Sequence, residues 1–440
     1  MNEPDGRAVF GWAMYDWANS AFATTVMAAF FPIFFKQFWS AGADAVLSTA
    51  KLGLANSLAG IAVALCAPLL GAIADRGRAR KRFLICFAFT GAAATACLPL
   101  VPQGQWQQAA SLYTLAMIGF AGGNIFYDAL LTAVAEEKRL DAVSSLGFSM
   151  GYLGGGLLFA LNVWMTLRPG FFGLDGPADA VRFSFLSVGI WWVLFSLPLI
   201  LLVREPAAAE RERIGEIVAG GMRQLRKTFR EIRHHRTIFT FLAAYWLYID
   251  GVDTIIVMAL DYGLSIGFES NDLILALLMT QFIGFPAALA FGRLGGRIGT
   301  KQSILIAICV YLAMPLWGFF MRSKMEFFLM AGVIGLVQGG IQALSRSFFA
   351  RLIPVDKSAE YFGFYNMIGK FAAIIGPVLI GGAGLWARSL GFGGDLASRI
   401  GILSITFLFL AGGALLLKVD EEKGREEARY LSKTGGGVPG

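Results

Sequence analysis

GAIADRGRAR (Gly71–Arg80) and GRLGGRIGTK (Gly292–Lys301) are two short basic stretches, each placed between long apolar runs. Gly71 matches Gly292, Arg76 matches Arg297 and Arg80 matches Lys301 at one constant offset. Other pairs keep the same order along the chain. Pro99 matches Pro315, and Gly147-Phe148 matches Gly363-Phe364. Trp12, Asp16, Asn19 and Ser20 match Trp246, Asp250, Asp253 and Thr254. Each pair alone is weak, but their shared order reads as an internal duplication. The fold question becomes what one copy is.

The composition answers it. Of 440 residues, 56% are hydrophobic and 15% charged, and the mean hydropathy is +0.63. A soluble domain is typically about 45–50% apolar and about 25% charged. A bilayer core is crossed by roughly 20 apolar residues in helical form. Twelve stretches qualify, at about 10–35, 49–74, 83–101, 108–134, 143–166, 182–203, 238–262, 271–294, 303–321, 326–348, 361–385 and 398–417. The expected fold is therefore an all-α membrane protein, with twelve transmembrane helices in two pseudo-symmetric six-helix bundles. The expected bundles are 1–203 and 238–417, joined by a cytoplasmic linker at 204–237 and followed by a tail at 418–440.

Net charge is +7. Its Lys and Arg lie in short clusters between apolar runs, so the basicity points to membrane topology and not to nucleic acid. With the N-terminus in the cytoplasm, most of the 37 Lys and Arg fall on cytoplasmic segments, as the positive-inside rule requires. Both termini are then cytoplasmic, in a cell (inner) membrane. The linker residues Ile214, Val218, Leu225, Phe229 and Ile232 recur at helical spacing. That describes an amphipathic helix, serving either as a tether or as a lipid-sensing surface. No secretory leader is expected. The first nine residues carry Glu3, Asp5 and Arg7, and no small-residue cleavage site follows. Cys66, Cys86, Cys97 and Cys309 lie in apolar runs and read as small buried hydrophobes. The two histidines, His234 and His235, are adjacent in the basic linker. Neither a metal site nor a Ser-His-Asp arrangement has its parts, no P-loop is present, and no enzyme activity or cofactor is expected.

Two parallel six-helix halves are the plan of the major facilitator superfamily. The loop GAIADRGRARKR resembles that superfamily's signature between its second and third spans. The resemblance implies a cytoplasmic gate at Asp75, Arg76 and Arg80. The second half has Gly296 in place of the acid, so a weaker or absent second latch is expected. A narrower resemblance rests on YDWANSAF (Tyr15–Phe22), NIFYDALL (Asn124–Leu131), GYLGGG (Gly151–Gly156), DGVDTI (Asp250–Ile255), GLVQGGIQALSRS (Gly335–Ser347) and FGFYNMIGK (Phe362–Lys370). These are similar to the autophagy-related vacuolar amino-acid effluxer family and its bacterial relatives. That resemblance implies amino-acid export, and the superfamily implies a site near mid-membrane and a monomer.

Charge inside the spans marks the candidate site. An Asp at a membrane helix centre costs roughly 2.5–3.5 kcal/mol, and this chain has Asp16, Asp128, Asp250 and Asp253 within spans. Residues three or four apart share a helix face. Such stripes hold Asp16, Asn19, Ser20 and Ala23; Asn124 and Asp128; Trp246, Asp250, Asp253 and Thr254; Gln338, Gln342, Ser345 and Arg346; and Asn366 and Lys370. The expected substrate contacts are Asp16, Asn19, Asn124, Asp128, Gln338, Gln342, Asn366 and Lys370. An acid in low dielectric can take a proton on one side and release it on the other. Asp250 or Asp253 is the expected coupling acid, for protons or another cation. Lys370 would hold a substrate carboxylate or pair with an Asp, and Asp16 would hold an ammonium.

Competing roles stand beside these. Asp16 and Asp128 pair with Arg346 in a gating network, or they bind substrate. Gln338 and Gln342 hold helices together, or they bind substrate. Gly147, Gly151 and Gly155 read as close-packing positions. The expected function is secondary active transport of a small polar solute, an amino acid or related zwitterion, by alternating access. Export of lipids or amphipathic drugs is the alternative, as is a membrane receptor that moves nothing.

Overall fold

The computed structural model describes residues 6–42, 45–205, 220, 223, 225, 228, 235–265, 269–321 and 323–434. The described residues are helical almost throughout, and among them are twelve helices long and apolar enough to span a membrane. They are α1 (Gly6–Trp39), α2 (Ala45–Arg76), α3 (Arg80–Cys97), α4 (Trp106–Val134), α5 (Leu140–Leu167) and α6 (Pro177–Leu202) in the first half of the sequence. The second half gives α7 (Arg236–Ser265), α8 (Ser270–Ile298), α9 (Thr300–Phe320), α10 (Lys324–Leu352) and α11 (Ser358–Ser389). The twelfth span, α12, is in two pieces, Gly394–Leu403 and Thr406–Leu417. A further helix, α13 (Glu421–Thr434), occupies the expected tail. Of the amphipathic linker, Ile214, Val218, Phe229 and Ile232 lie outside the described residues, and Leu225 is described.

The chain forms two compact units. The first contains residues 1–136, 147–222 and 358–366, and the second contains 137–146, 223–357 and 367–440. The opening turns of α5 therefore belong to the second unit and those of α11 to the first.

Aromatic packing fills the first unit. Trp12 stacks on Tyr127 with ring centroids 4.4 Å apart, and Phe31 on Tyr113 at 3.8 Å. Large apolar side chains such as Leu65, Leu201 and Phe171 are exposed, as expected where lipid replaces water as the solvent of an outer face. The cysteines follow this rule and correct the expectation of burial. All four are free and exposed.

One feature of α1 is not in its periodicity. The helix turns π-helical over Phe22–Phe30 and again over Phe35–Trp39. Pro32 sits between the two. Proline's ring crowds the carbonyl four residues earlier and supplies no N–H. Widening the preceding turn to an i→i−5 pattern, as in Phe31 N–H to Val26 O, relieves that crowding. Such π segments are uncommon and recur at functional sites.

The two repeat loops close their units in the same way, with one change of register. In the first, Lys81 Nζ donates to the carbonyls of Ile200 and Val203 (2.5 and 2.7 Å), capping the C-terminus of α6. In the second, Lys301 Nζ donates to Leu417 and Val419 (2.8 and 2.7 Å), capping α12. Lys301 is thus the counterpart of Lys81, not of Arg80 as the sequence offset indicates. The turn itself differs. Gly77-Arg78-Ala79 carries the first, with Arg78 at φ 45°, whereas Gly299 alone at φ +99° carries the second.

Candidate functional site

In the first unit the polar stripes of α1 and α4 meet. Asn19 donates to Asn124 Oδ1 at 2.7 Å, and Tyr127 OH donates to Asp16 Oδ2 at 3.0 Å. Ser20 reaches Asp16 Oδ1 at 3.4 Å, within the same helix. Asp16, Asn19 and Asp128 are buried, at 8%, 2% and 7% exposure. The start of α11 contributes Asn366, whose Nδ2 donates to Asp128 Oδ2 at 3.1 Å. Small residues on α5 make room for this cluster. A Cβ at Gly151 would lie 3.1 Å from Asp16 Oδ1, and one at Gly155 3.0 Å from the Ser20 carbonyl. The GYLGGG motif is thus a close-packing surface for α1.

The second unit holds the other acids. Asp250, with 0% exposure, accepts from the backbone N–H of Ile375 (3.0 Å) and Gly376 (2.9 Å) and from Thr254 Oγ1 (3.1 Å). Asp253, one turn on, lies in the field of the Lys370 ammonium and of Asp250. Among the described residues the Asp253 carboxylate makes no hydrogen bond. Gln338 and Gln342 are half-buried on α10. Trp246, placed with Asp250 on one stripe by spacing, is 37% exposed and does not share its burial.

The residues expected at the gate lie in two clusters of opposite construction. In the first unit Asp75 bonds Arg80 Nε (2.5 Å) and caps the N-terminus of α11, accepting from Ala359 N–H (3.1 Å) and Glu360 N–H (2.8 Å). A carboxylate is favoured there by the unpaired amides and the helix dipole. Gly71 permits the approach, since a Cβ would strike the backbone of Ala359 and Glu360. Arg76 packs on Gly220.

In the second unit the matching Gly292 lies against Ser145 of α5. The acid is present after all, carried by the other helix. Asp141, in the first turn of α5, accepts from Thr300 Oγ1 (2.7 Å), Ser347 Oγ (2.5 Å) and Arg351 Nη1 (2.9 Å). Arg346 donates to Ser144 Oγ and to the Ser144 carbonyl, both at 2.9 Å. The second loop has Gly296 where the first has its acid, and Asp141 of α5 supplies a buried carboxylate against that loop. Sequence reasoning missed Asp141, Thr300, Ser347 and Arg351. The available signal was the repeat offset that matches Gly147 to Gly363, which pairs Asp141 with Lys357 and so reverses the charge.

The sequence profile described as Vacuole effluxer Atg22 like matches residues 5–138 and 132–429. The MFS-type transporter YxiO of Bacillus subtilis is 37% identical over 93% of this chain and 94% of its own length. Autophagy-related protein 22 of Yarrowia lipolytica is 24% identical over 66% of this chain. The chain spans about half of that fungal protein, 52% of its length. Two solved structures share the architecture: the human organic anion transporter MFSD10 (TM-score 0.68, 15% identity, covering 94% of this chain and 100% of that one) and the proton:xylose symporter XylE (TM-score 0.68, 13% identity, 97% of each).

Proposed function

The chain belongs to the Vacuole effluxer Atg22 like family, as a transporter of the major facilitator superfamily, and on that premise we propose that it exports an amino acid or a related zwitterion. The observation that carries this reading is the presence of both charge signs among otherwise neutral polar groups inside the spans. Asp16 lies with Asn19 and Asn124 in the first unit, and Lys370 lies in the field of Asp253 in the second. Buried charge is costly in a membrane and is retained where it serves a path or a site.

In this reading Asp16, Asn19, Asn124, Asp128 and Asn366 are the substrate contacts of the first unit, with Asp16 for an ammonium. Gln338, Gln342 and Lys370 are those of the second, with Lys370 for a carboxylate. Transport proceeds by alternating access, coupled to protons, in a monomer with both termini in the cytoplasm of a cell (inner) membrane. Asp75, Arg76, Arg80 and Arg346 act at the gate.

Of the two coupling acids, the geometry favours Asp253. The Asp250 carboxylate is occupied by two backbone amides and a hydroxyl. Asp253 lies in the field of the Lys370 ammonium, and in this reading substrate displaces that cation.

Thermal unfolding of the purified chain, titrated with single amino acids, tests the solute class. A ligand that binds only the folded state raises the midpoint saturably. Stabilisation by one or more amino acids, lost in Asp16→Asn, supports the reading. Stabilisation by amphipathic drugs alone would replace it.

A further inference from the structure

Asp250 is an acid inside a span that accepts from two backbone amides and one hydroxyl. Both oxygens take an amide from α11, Oδ2 from Ile375 and Oδ1 from Gly376. Those two amides immediately precede Pro377, which lies inside α11. An internal proline removes one helix hydrogen bond and crowds the carbonyl four residues back, here Ala373. α11 continues as helix through Pro377, and a carboxylate that accepts from two backbone amides at this weakened turn ties α7 to α11. Gly376 is suited to the contact, because a Cβ at that position would run into Thr254. Thr254 in turn donates to Asp250 Oδ1. Three residues of different type therefore meet at one point of α7 and α11.

We propose that Asp250 is a positioning residue. It braces α11 from α7 at the turn before Pro377 and so fixes where Lys370, earlier on α11, stands relative to Asp253, one turn later on α7. The proposal rests on the reading of Asp253 and Lys370 as the working pair. Asp250 contributes acceptor geometry and is not itself the group that exchanges a proton during transport. The charged group beside it is Asp253 on its own helix, and Lys370 on α11 lies in the field of Asp253.

The test separates these roles with two readouts on the full chain in proteoliposomes. The first needs no substrate. It is amide hydrogen exchange of peptides covering residues 371–380 in wild type, Asp250→Asn, Asp250→Ala and Asp253→Asn. A lost hydrogen bond to a charged acceptor opens the site by about tenfold or more. Asp250→Ala should raise exchange there by that factor. Asp250→Asn keeps one acceptor oxygen and should raise it less, and Asp253→Asn should leave it unchanged.

The second readout is the pH profile of counterflow with pooled amino acids. Asp250→Asn should run more slowly with the wild-type profile, whereas Asp253→Asn should flatten it. A flat profile in Asp250→Asn, or unchanged exchange in Asp250→Ala, would overturn the proposal. Should Asp250→Ala not fold, Asp250→Asn decides through both readouts. If even the wild type shows no counterflow, the amino-acid reading fails, and the exchange measurement still decides whether Asp250 braces α11.

Discussion

Arg351 at the end of α10 and Asp141 at the start of α5 form a buried ion pair, Nη1 to Oδ1 2.9 Å, with only 5% and 6% of their side chains exposed. Thr300 and Ser347 hydroxyls complete the carboxylate's shell. Breaking one side of a buried pair leaves the other charge uncompensated, at a cost of about 3–5 kcal/mol. Asp141→Ala is therefore predicted to lower unfolding stability by that amount in denaturant titration. The double variant Asp141→Asn, Arg351→Gln should recover more than half of it. The Lys324–Asp272 pair is shorter, at 2.6 Å, but its lysine side chain is 52% exposed. Solvent screens such pairs, and Lys324→Ala should leave the transition unmoved.

Lys81 and Lys301 perform one task in two places, each holding two terminal carbonyls of the last helix in its half. Each Lys→Ala change should cost about 1 kcal/mol. The two sites share no partner, so the double variant should show the sum within about 0.5 kcal/mol. The same titration checks both statements.

Gly71 is predicted to be intolerant in a way its helix neighbours are not. A Cβ there would meet the backbone of Ala359 and Glu360, which cannot rotate away, whereas Gly53 and Gly60 of the same helix have open space. Gly71→Ala should cost about 1–3 kcal/mol through overpacking, and it should strain the Asp75 cap of α11 as well. Gly60→Ala should be neutral or stabilising by up to about 1 kcal/mol.

The C-terminal helix α13 is docked by packing more than by charge. Arg425 and Arg429 approach Glu137 at 3.4 and 3.7 Å, with side chains 37%, 71% and 45% exposed. Ala428 and Leu431 are buried at 6% and 4%, and Gly424 packs on Leu352 and Thr237. Arg429→Ala should not release the helix. Gly424→Leu should, seen as faster proteolysis of the tail.

The twelve spans were legible because each repeats one simple requirement, an apolar run long enough to cross a bilayer. The repeats were legible in glycines and prolines, whose roles are local. The Asp75 cluster could be read from its loop because its partner Arg80 is close in sequence. Asp141 could not, since its partners lie at Thr300, Ser347 and Arg351 and the charge sits on the opposite helix from its counterpart. The register of Lys301 was misread by one position, because the second turn uses Gly299 where the first uses three residues. The π turns of α1 also escaped periodicity. Pro32 marks where they occur, but its effect on the preceding turns is geometric, not compositional.

Amino-acid transport is proposed to be driven through Asp253. The most direct test is counterflow in proteoliposomes preloaded with a pooled amino-acid mixture, at matched pH and then under an imposed pH gradient. Exchange in the wild type is predicted to follow the gradient, and exchange in Asp253→Asn to ignore it. Folded wild type that exchanges no amino acid, or an Asp253→Asn variant that still follows the gradient, would contradict it.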